Sequence, residues 1–188
     1  MKNDDFEFLH QTQIRIPEDR IGVLIGKNGE VRRQIEKETG CRINISPDGV
    51  IIISGKDAIG FIKAQNVVKA IGKGFNPEIA MILLKDDLKM IEIIELPEYV
   101  DENAIKRVKG RIIGKDGIMR RNIEDTLDVK ISIYGKSVAI IGNIENVDAA
   151  REAIFMLIDG AQHSRVLKFM EKRKREMKTR DLDWQPLY

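Results

Sequence analysis

Leu24-Ile25-Gly26-Lys27-Asn28-Gly29-Glu30-Val31-Arg32-Arg33-Gln34-Ile35-Glu36 returns later in the chain as Ile112-Ile113-Gly114-Lys115-Asp116-Gly117-Ile118-Met119-Arg120-Arg121-Asn122-Ile123-Glu124. Gly26 maps onto Gly114, a shift of 88 residues. The correspondence runs on: Cys41-Arg42-Ile43-Asn44-Ile45 answers Val129-Lys130-Ile131-Ser132-Ile133, and Ile51 to Gly55 answers Val138 to Gly142 with a one-residue gap. Solenoid repeats are shorter and come in threes or more, so two units of this size imply paired domains rather than an array.

Working outward from the first copy, Thr12 to Ile16 alternates as a strand does and stops at Pro17. Glu18 to Ile25 reads as a short helix ending at Gly26, and Glu30 to Thr39 as a second, with Val31 and Ile35 one turn apart and Gly40 just past its end. Strands are expected at Arg42–Ser46 and Val50–Ser54, joined through Pro47-Asp48-Gly49. Asp57 is placed to cap a last helix carrying Ile59, Ile62, Val67, Val68 and Ile71. The order is β-α-α-β-β-α. The second copy repeats it with a strand at Lys89–Glu95, helices from Glu102 to Arg111 and on to Leu127, strands at Lys130–Ile133 and Ser137–Gly142, and a helix from Ile144 to Ile158. Residues 75–87, with Pro77 and a charged cluster, are expected to be a linker, although Ile79 to Leu84 is apolar enough to form an ordered segment. The expected division is therefore 1–74, 75–87, 88–160, and a basic C-terminal helix and tail at 161–188.

Composition narrows the function classes. Of the 188 residues, 43% are hydrophobic and 33% charged, enough to build a core and far from the disordered class. No run approaches a membrane span, and Met1-Lys2-Asn3-Asp4-Asp5 lacks a secretory apolar stretch, so a cytoplasmic protein without membrane contact is expected. Cys41 has no disulfide partner in the chain, and His10 and His163 with it cannot assemble a zinc site. Cys41 is expected to be a small core residue, and no metal or cofactor is expected. The net charge is only +2, but it is polarised. Between positions 106 and 121, seven basic residues stand against Asp116 alone, a local charge of +6. Positions 78–102 carry −6, and 165–180 carry +6 around Lys172-Arg173-Lys174-Arg175.

The turn explains why a phosphate chain fits there. Glycines at both ends remove Cβ atoms and let another backbone approach. The helix that follows opens with free amides and a positive dipole end. Lys27 and Lys115 add mobile charge at the same point, continued by Arg32, Arg33, Arg120 and Arg121.

These features resemble the KH domain, whose signature is an Ile-Gly-Xaa-Xaa-Gly turn inside this element order. The likeness covers roughly residues 11–74 and 88–160. It departs three residues past the second glycine, where Arg32 and Arg120 replace the usual aliphatic residue. The resemblance implies an α+β fold of two type I KH domains with an added C-terminal helix. It also implies that each loop clamps about four unpaired nucleotides while bases lie in an aliphatic groove. By position, the clamps are Gly26, Lys27, Asn28 and Gly29, and Gly114, Lys115, Asp116 and Gly117. The grooves are Gly22, Val23 and Ile43, and Gly110, Arg111 and Ile131, with Arg42 and Lys130 as base-edge or phosphate contacts. Lys109 stands where the first copy has Ile21, and Asp116 sets a carboxylate beside the expected phosphate. As a free-standing pair with a basic C-terminal helix, the chain is similar to archaeal relatives of the partner-of-Nob-one family. That likeness implies binding near the 3′ end of small-subunit rRNA, and partnership with an rRNA-processing endonuclease and translation initiation factor two.

Other readings fit less well. A nucleotide-binding P-loop needs four residues between its glycines and a magnesium-binding Ser or Thr, whereas Gly22 to Gly26 encloses three and Asn28 or Asp116 takes the hydroxyl position. A helix-turn-helix DNA reader needs neither paired glycines nor flanking strands. With 5% aromatic residues, no aromatic platform interleaves the strands. A nuclease would need a carboxylate cluster beside the turns. A general single-stranded RNA or mRNA binder remains the main alternative to the rRNA reading. Trp184, Leu187 and Tyr188 could anchor a partner or pack on their own domain.

Overall fold

The computed structural model describes residues 9–96 and 101–183, which fall into two units meeting at residues 87 and 88. Trp184, Leu187 and Tyr188 lie outside the described residues. No helix among those described is long and apolar enough to cross a membrane.

The first unit runs β1 (His10–Arg15), α1 (Glu18–Ile25), α2 (Glu30–Thr39), β2 (Arg42–Ile45), β3 (Val50–Gly55) and α3 (Ala58–Gly72). The sheet is antiparallel throughout, in the order β1-β3-β2. Register puts Thr12 and Ile43 on either side of Ile53, and Ile14 and Ile45 on either side of Ile51. Successive strand residues face opposite ways, so Ile43, Ile51 and Ile53 share the face that the helices cover. All three are buried, together with Leu24, Ile35, Ala64, Val67, Val68 and Ile71 from the helices. Asp57 caps α3 as expected, its carboxylate accepting the Gly60 N–H at 2.6 Å.

The second unit repeats the plan: β4 (Lys89–Glu95), α6 (Glu102–Ile113), α7 (Ile118–Leu127), β5 (Lys130–Tyr134), β6 (Ser137–Asn143) and α8 (Ile144–Ile158), with sheet order β4-β6-β5. Here Ile112, Ile123, Leu127, Ile131, Ile140, Ile154 and Leu157 form the core. The β-α-α-β-β-α order expected from the repeat is present in both units.

Of the two readings left open for residues 75–87, the structure has the ordered segment, as part of the first unit. Residues 75–87 fold as α4 (Pro77–Ala80) and α5 (Ile82–Lys85) against α3, burying Phe75, Ala80, Met81, Leu83 and Leu84. Pro77, taken as punctuation, opens α4, where a missing N–H costs nothing. Lys63 on α3 fastens the segment through the Leu84 carbonyl at 3.3 Å and the Asp87 carboxylate. The basic tail is likewise no appendage. It forms α9 (His163–Asp183), which packs on α7 and α8 with Val166 and Met170 fully buried. Its charge run decorates a helix whose other side is core.

An arginine closes each unit in the same way. Each last core helix ends in a left-handed glycine, Gly74 or Gly160, and the next amide bonds back five residues, Phe75 N–H to Ala70 O and Ala161 N–H to Met156 O. Arg20 donates to the Ile71 and Phe75 carbonyls at 2.8 and 2.6 Å, and Arg111 donates to the Leu157 and Ala161 carbonyls. By the repeat, Arg20 corresponds to Val108 and Arg111 to Val23. Arg and Val have exchanged places three residues apart on one helix face, and both arrangements reach the same target.

Burial of α9 is testable. Met170→Ala is expected to lower stability by about 2–4 kcal/mol in urea titration of the full chain. The exposed Lys172→Ala should stay within about 0.5 kcal/mol.

Candidate nucleic-acid interface

Both turns have the same backbone. Gly26 and Gly114 adopt φ 73° with ψ 176° and 175°, a region essentially confined to glycine. A Cβ on Gly26 would lie 2.4 Å from Val31 Cγ2 and 2.9 Å from the Val31 amide nitrogen; on Gly114 it would lie 2.7 Å from Met119 Cβ. Val31 and Met119 thus sit under the first glycine and anchor the turn from one position before Arg32 and Arg120. They supply an apolar anchor one position before the place where the resemblance calls for an aliphatic residue.

Asn28 and Asp116 are left-handed at φ 53°, and Gly29 and Gly117 follow in the same region. Short side chains that bond locally tolerate this conformation best, which accounts for Asn in one copy and Asp in the other. Asp116 therefore has a backbone reason to be there. Neither α2 nor α7 receives a side-chain cap at its start, so the first-turn amides face the turn.

The cations converge from two sides. Lys27 and Lys115 are exposed at the turn. Arg33 and Arg121 fold back so that Nη1 would lie 3.6 Å from a Cβ on Gly29 or Gly117. Arg32 and Arg120 face Glu36 and Glu124 at 3.8 and 3.3 Å while staying 42% and 45% exposed. The same two glutamates each accept an edge-strand amide, Ile43 N–H and Ile131 N–H, at 2.8 Å. Sequence reasoning assigned Glu36 and Glu124 no role, although their recurrence in the repeat was the signal. They clip the clamp helix to the strand that flanks it.

The groove residues divide. Gly22 and Gly110 are exposed, and an added Cβ would meet nothing within 4 Å. Glycine inside a helix costs about 1 kcal/mol against alanine, and no packing demands it here, so both positions leave an open backbone face. Val23 is half-buried beside Gly22, and Arg42 and Lys130 are exposed at the start of the edge strands. Ile43 and Ile131, expected as groove contacts, are only 1% exposed: alternation turns both into the core. The Arg111 guanidinium is committed to the Leu157 and Ala161 carbonyls, so it braces the groove helix rather than lining the groove. In their place Ile25 and Ile113 present apolar surface beside the turns, and Ile118 follows Gly117 where the first unit has Glu30.

Among the described residues, no group of three or more His, Cys, Asp or Glu side chains is placed to hold a metal ion. Cys41 is buried, and burial foremost pushes its thiol pKa up, away from a nucleophilic thiolate.

Comparison with known proteins bears on both units. Residues 11–70 match the KH domain, and residues 90–175 match the eukaryotic type KH domain, or KH domain type I, in the form found as the second such domain of PNO1 proteins. A KH domain-containing protein of Methanocaldococcus jannaschii is 45% identical over 170 residues, covering 88% of this chain and 74% of that one. The pre-rRNA-processing protein pno1 of Emericella nidulans is 34% identical over 145 residues, 74% of this chain but 56% of its own length. The chain thus spans little more than half of that relative. A chain in the crystal structure of the a/eIF2alpha–aDim2p–rRNA complex of Pyrococcus horikoshii matches with a TM-score of 0.84 at 40% identity, covering 92% of this chain and 97% of that one.

Two glycines in one stretch should behave oppositely. Gly114→Ala is expected to cost at least about 1–3 kcal/mol, because the backbone must leave its conformation or displace Met119. Gly110→Ala, in an ordinary helical position, should gain about 0.5–1 kcal/mol. Thermal unfolding of the two variants distinguishes them.

Proposed function

The chain belongs to the family of KH-domain proteins that includes the archaeal KH protein and the PNO1 pre-rRNA-processing proteins, and on that premise we propose that it binds single-stranded RNA at its Gly-Xaa-Xaa-Gly turns as a non-catalytic adaptor in small-subunit rRNA maturation. The observation that carries this is the duplicated turn, with one backbone geometry, a lysine at one position and an arginine folded over the second glycine in both units. Helix amides and cations take the phosphates, and the open backbone at Gly22 and Gly110 with the flanking isoleucines takes the bases.

The two turns are not equal. Around the second, seven basic residues stand against one acid, although Arg111 is spent on the fold. Ile118 there extends an apolar flank, whereas Glu30 sets a carboxylate at the same place in the first unit. The second turn is the main RNA grip. The solved complex of the Pyrococcus relative contains rRNA and a/eIF2alpha, which supports rRNA as the ligand and the α subunit of initiation factor two as a partner. The rRNA 3′ end, a processing endonuclease acting there and a cytoplasmic setting complete the proposed role.

Lys115→Asp is expected to weaken binding of a single-stranded RNA oligonucleotide by about tenfold or more, and Lys27→Asp by clearly less, in fluorescence anisotropy at fixed salt. Equal losses would remove the ranking, and no loss in either would remove the clamps. Crosslinking in cell extract followed by sequencing of bound RNA should give a peak near the 3′ end of small-subunit rRNA. Reads dispersed over mRNA would instead establish a general single-strand binder.

A further inference from the structure

The clamp holds about four nucleotides and leaves α9 outside it. Five features of α9 bear on what its outer face does. First, its start is tied to the helix that enters the turn: Arg111, three residues before Gly114, donates to the Ala161 carbonyl just ahead of α9. Second, it then packs along α7, the helix that leaves the turn. Third, its inner face is core, with Val166 and Met170 fully buried and Phe169 and Met177 packed beside them.

Fourth, the opposite face is a single line of cations. Arg165, Lys168, Lys172 and Arg175 recur at spacings of three, four and three residues, all exposed, and Thr179 continues the row. Those spacings stack side chains on one side of a helix, so four cations span about 15 Å. Acids sit only beside the row: Glu176 meets Lys172 at 3.7 Å and Arg173 at 3.6 Å, and Glu171 lies at its flank. Exposed pairs of this kind neutralise little. Fifth, the row contains no aromatic or large apolar side chain on which a base could stack.

From this we infer that the outer face of α9 is a second RNA-binding element of the second unit, a phosphate rail that holds RNA backbone beyond the clamped nucleotides and reads no sequence. The row meets evenly spaced negative charge with evenly spaced positive charge, and it offers nothing to distinguish one base from another. Binding through it adds affinity and salt dependence without selectivity.

The inference rests on RNA binding at the turns, and the test separates the two. The full-length protein and its Arg165→Gln/Lys168→Gln/Lys172→Gln/Arg175→Gln variant are titrated against single-stranded RNAs of about 5 nucleotides, just longer than the clamp, and of about 15 nucleotides. The variant is expected to lose about tenfold on the long RNA and under about twofold on the short one. Its slope of log affinity against log salt on the long RNA should fall by up to about 3, since each phosphate contact on a single strand contributes roughly 0.7. Unchanged long-RNA binding, or equal loss on both lengths, overturns the rail and leaves the clamp standing. Wild-type protein that binds neither RNA overturns both. The replaced side chains point away from the core, so melting should be unaffected; should the quadruple variant unfold, Lys168→Gln/Lys172→Gln is read by the same criteria, with about threefold loss on the long RNA expected.

Discussion

The missing Cβ of Gly26 and Gly114 is the constraint on which each unit turns. With Val31 Cγ2 placed 2.4 Å from where that carbon would be, helix α2 can start directly beneath the end of α1. This close crossing lets two short helices share one sheet face while the turn between them projects outward. It also puts the lysine, the uncapped helix start and the returning arginine at one point. Any side chain at the first glycine would push the helices apart and disperse those groups together. The conformation that is costly for an ordinary residue is thus the one that brings these groups together.

Two further devices hold the assembly rigid, and they differ in how visibly they are written. Glu36 and Glu124 each join the clamp helix to the edge strand through an Ile amide, and they occupy equivalent positions of the repeat. Arg20 and Arg111 do one job from non-equivalent positions, because two residues three apart on a helix face can both reach the same pair of carbonyls. Aligning the copies therefore finds the glutamate and hides the arginine. It also makes Arg111 look like a ligand contact when it is spent within the fold.

Much of the fold was legible because its signals are local. Glycine placement, strand alternation and the Asp57 cap each act within a few residues, and the repeat shows the first two twice, whereas α8 starts at Asn143 with no side-chain cap. What was misread depended on distant neighbours. Residues 75–87 looked like a linker because Pro77 and the charges of Lys85, Asp86 and Asp87 are seen in sequence before the apolar surface of α3 that they cover. Alternation within β2 and β5 makes Ile43 and Ile131 inward, yet the expectation of a groove placed them outward. For Asp116 the sequence showed only the carboxylate at the turn, and its φ of 53° adds a backbone reason for a short side chain there.

Divergence between the copies follows from which of these constraints are shared. Both turns must keep the first glycine, the left-handed pair and the apolar anchor, and both do. The residue after the second glycine is under no such demand: it is exposed, helical and free to be Glu30 or Ile118. The position held by Ile21 in one unit and Lys109 in the other is likewise half-buried and tolerant. These positions can change without disturbing the crossing of the helices. The second unit has used them to gather charge and apolar surface around its turn, while the first has kept the geometry and added a carboxylate. One backbone device can therefore serve two surfaces of different chemistry in the same chain.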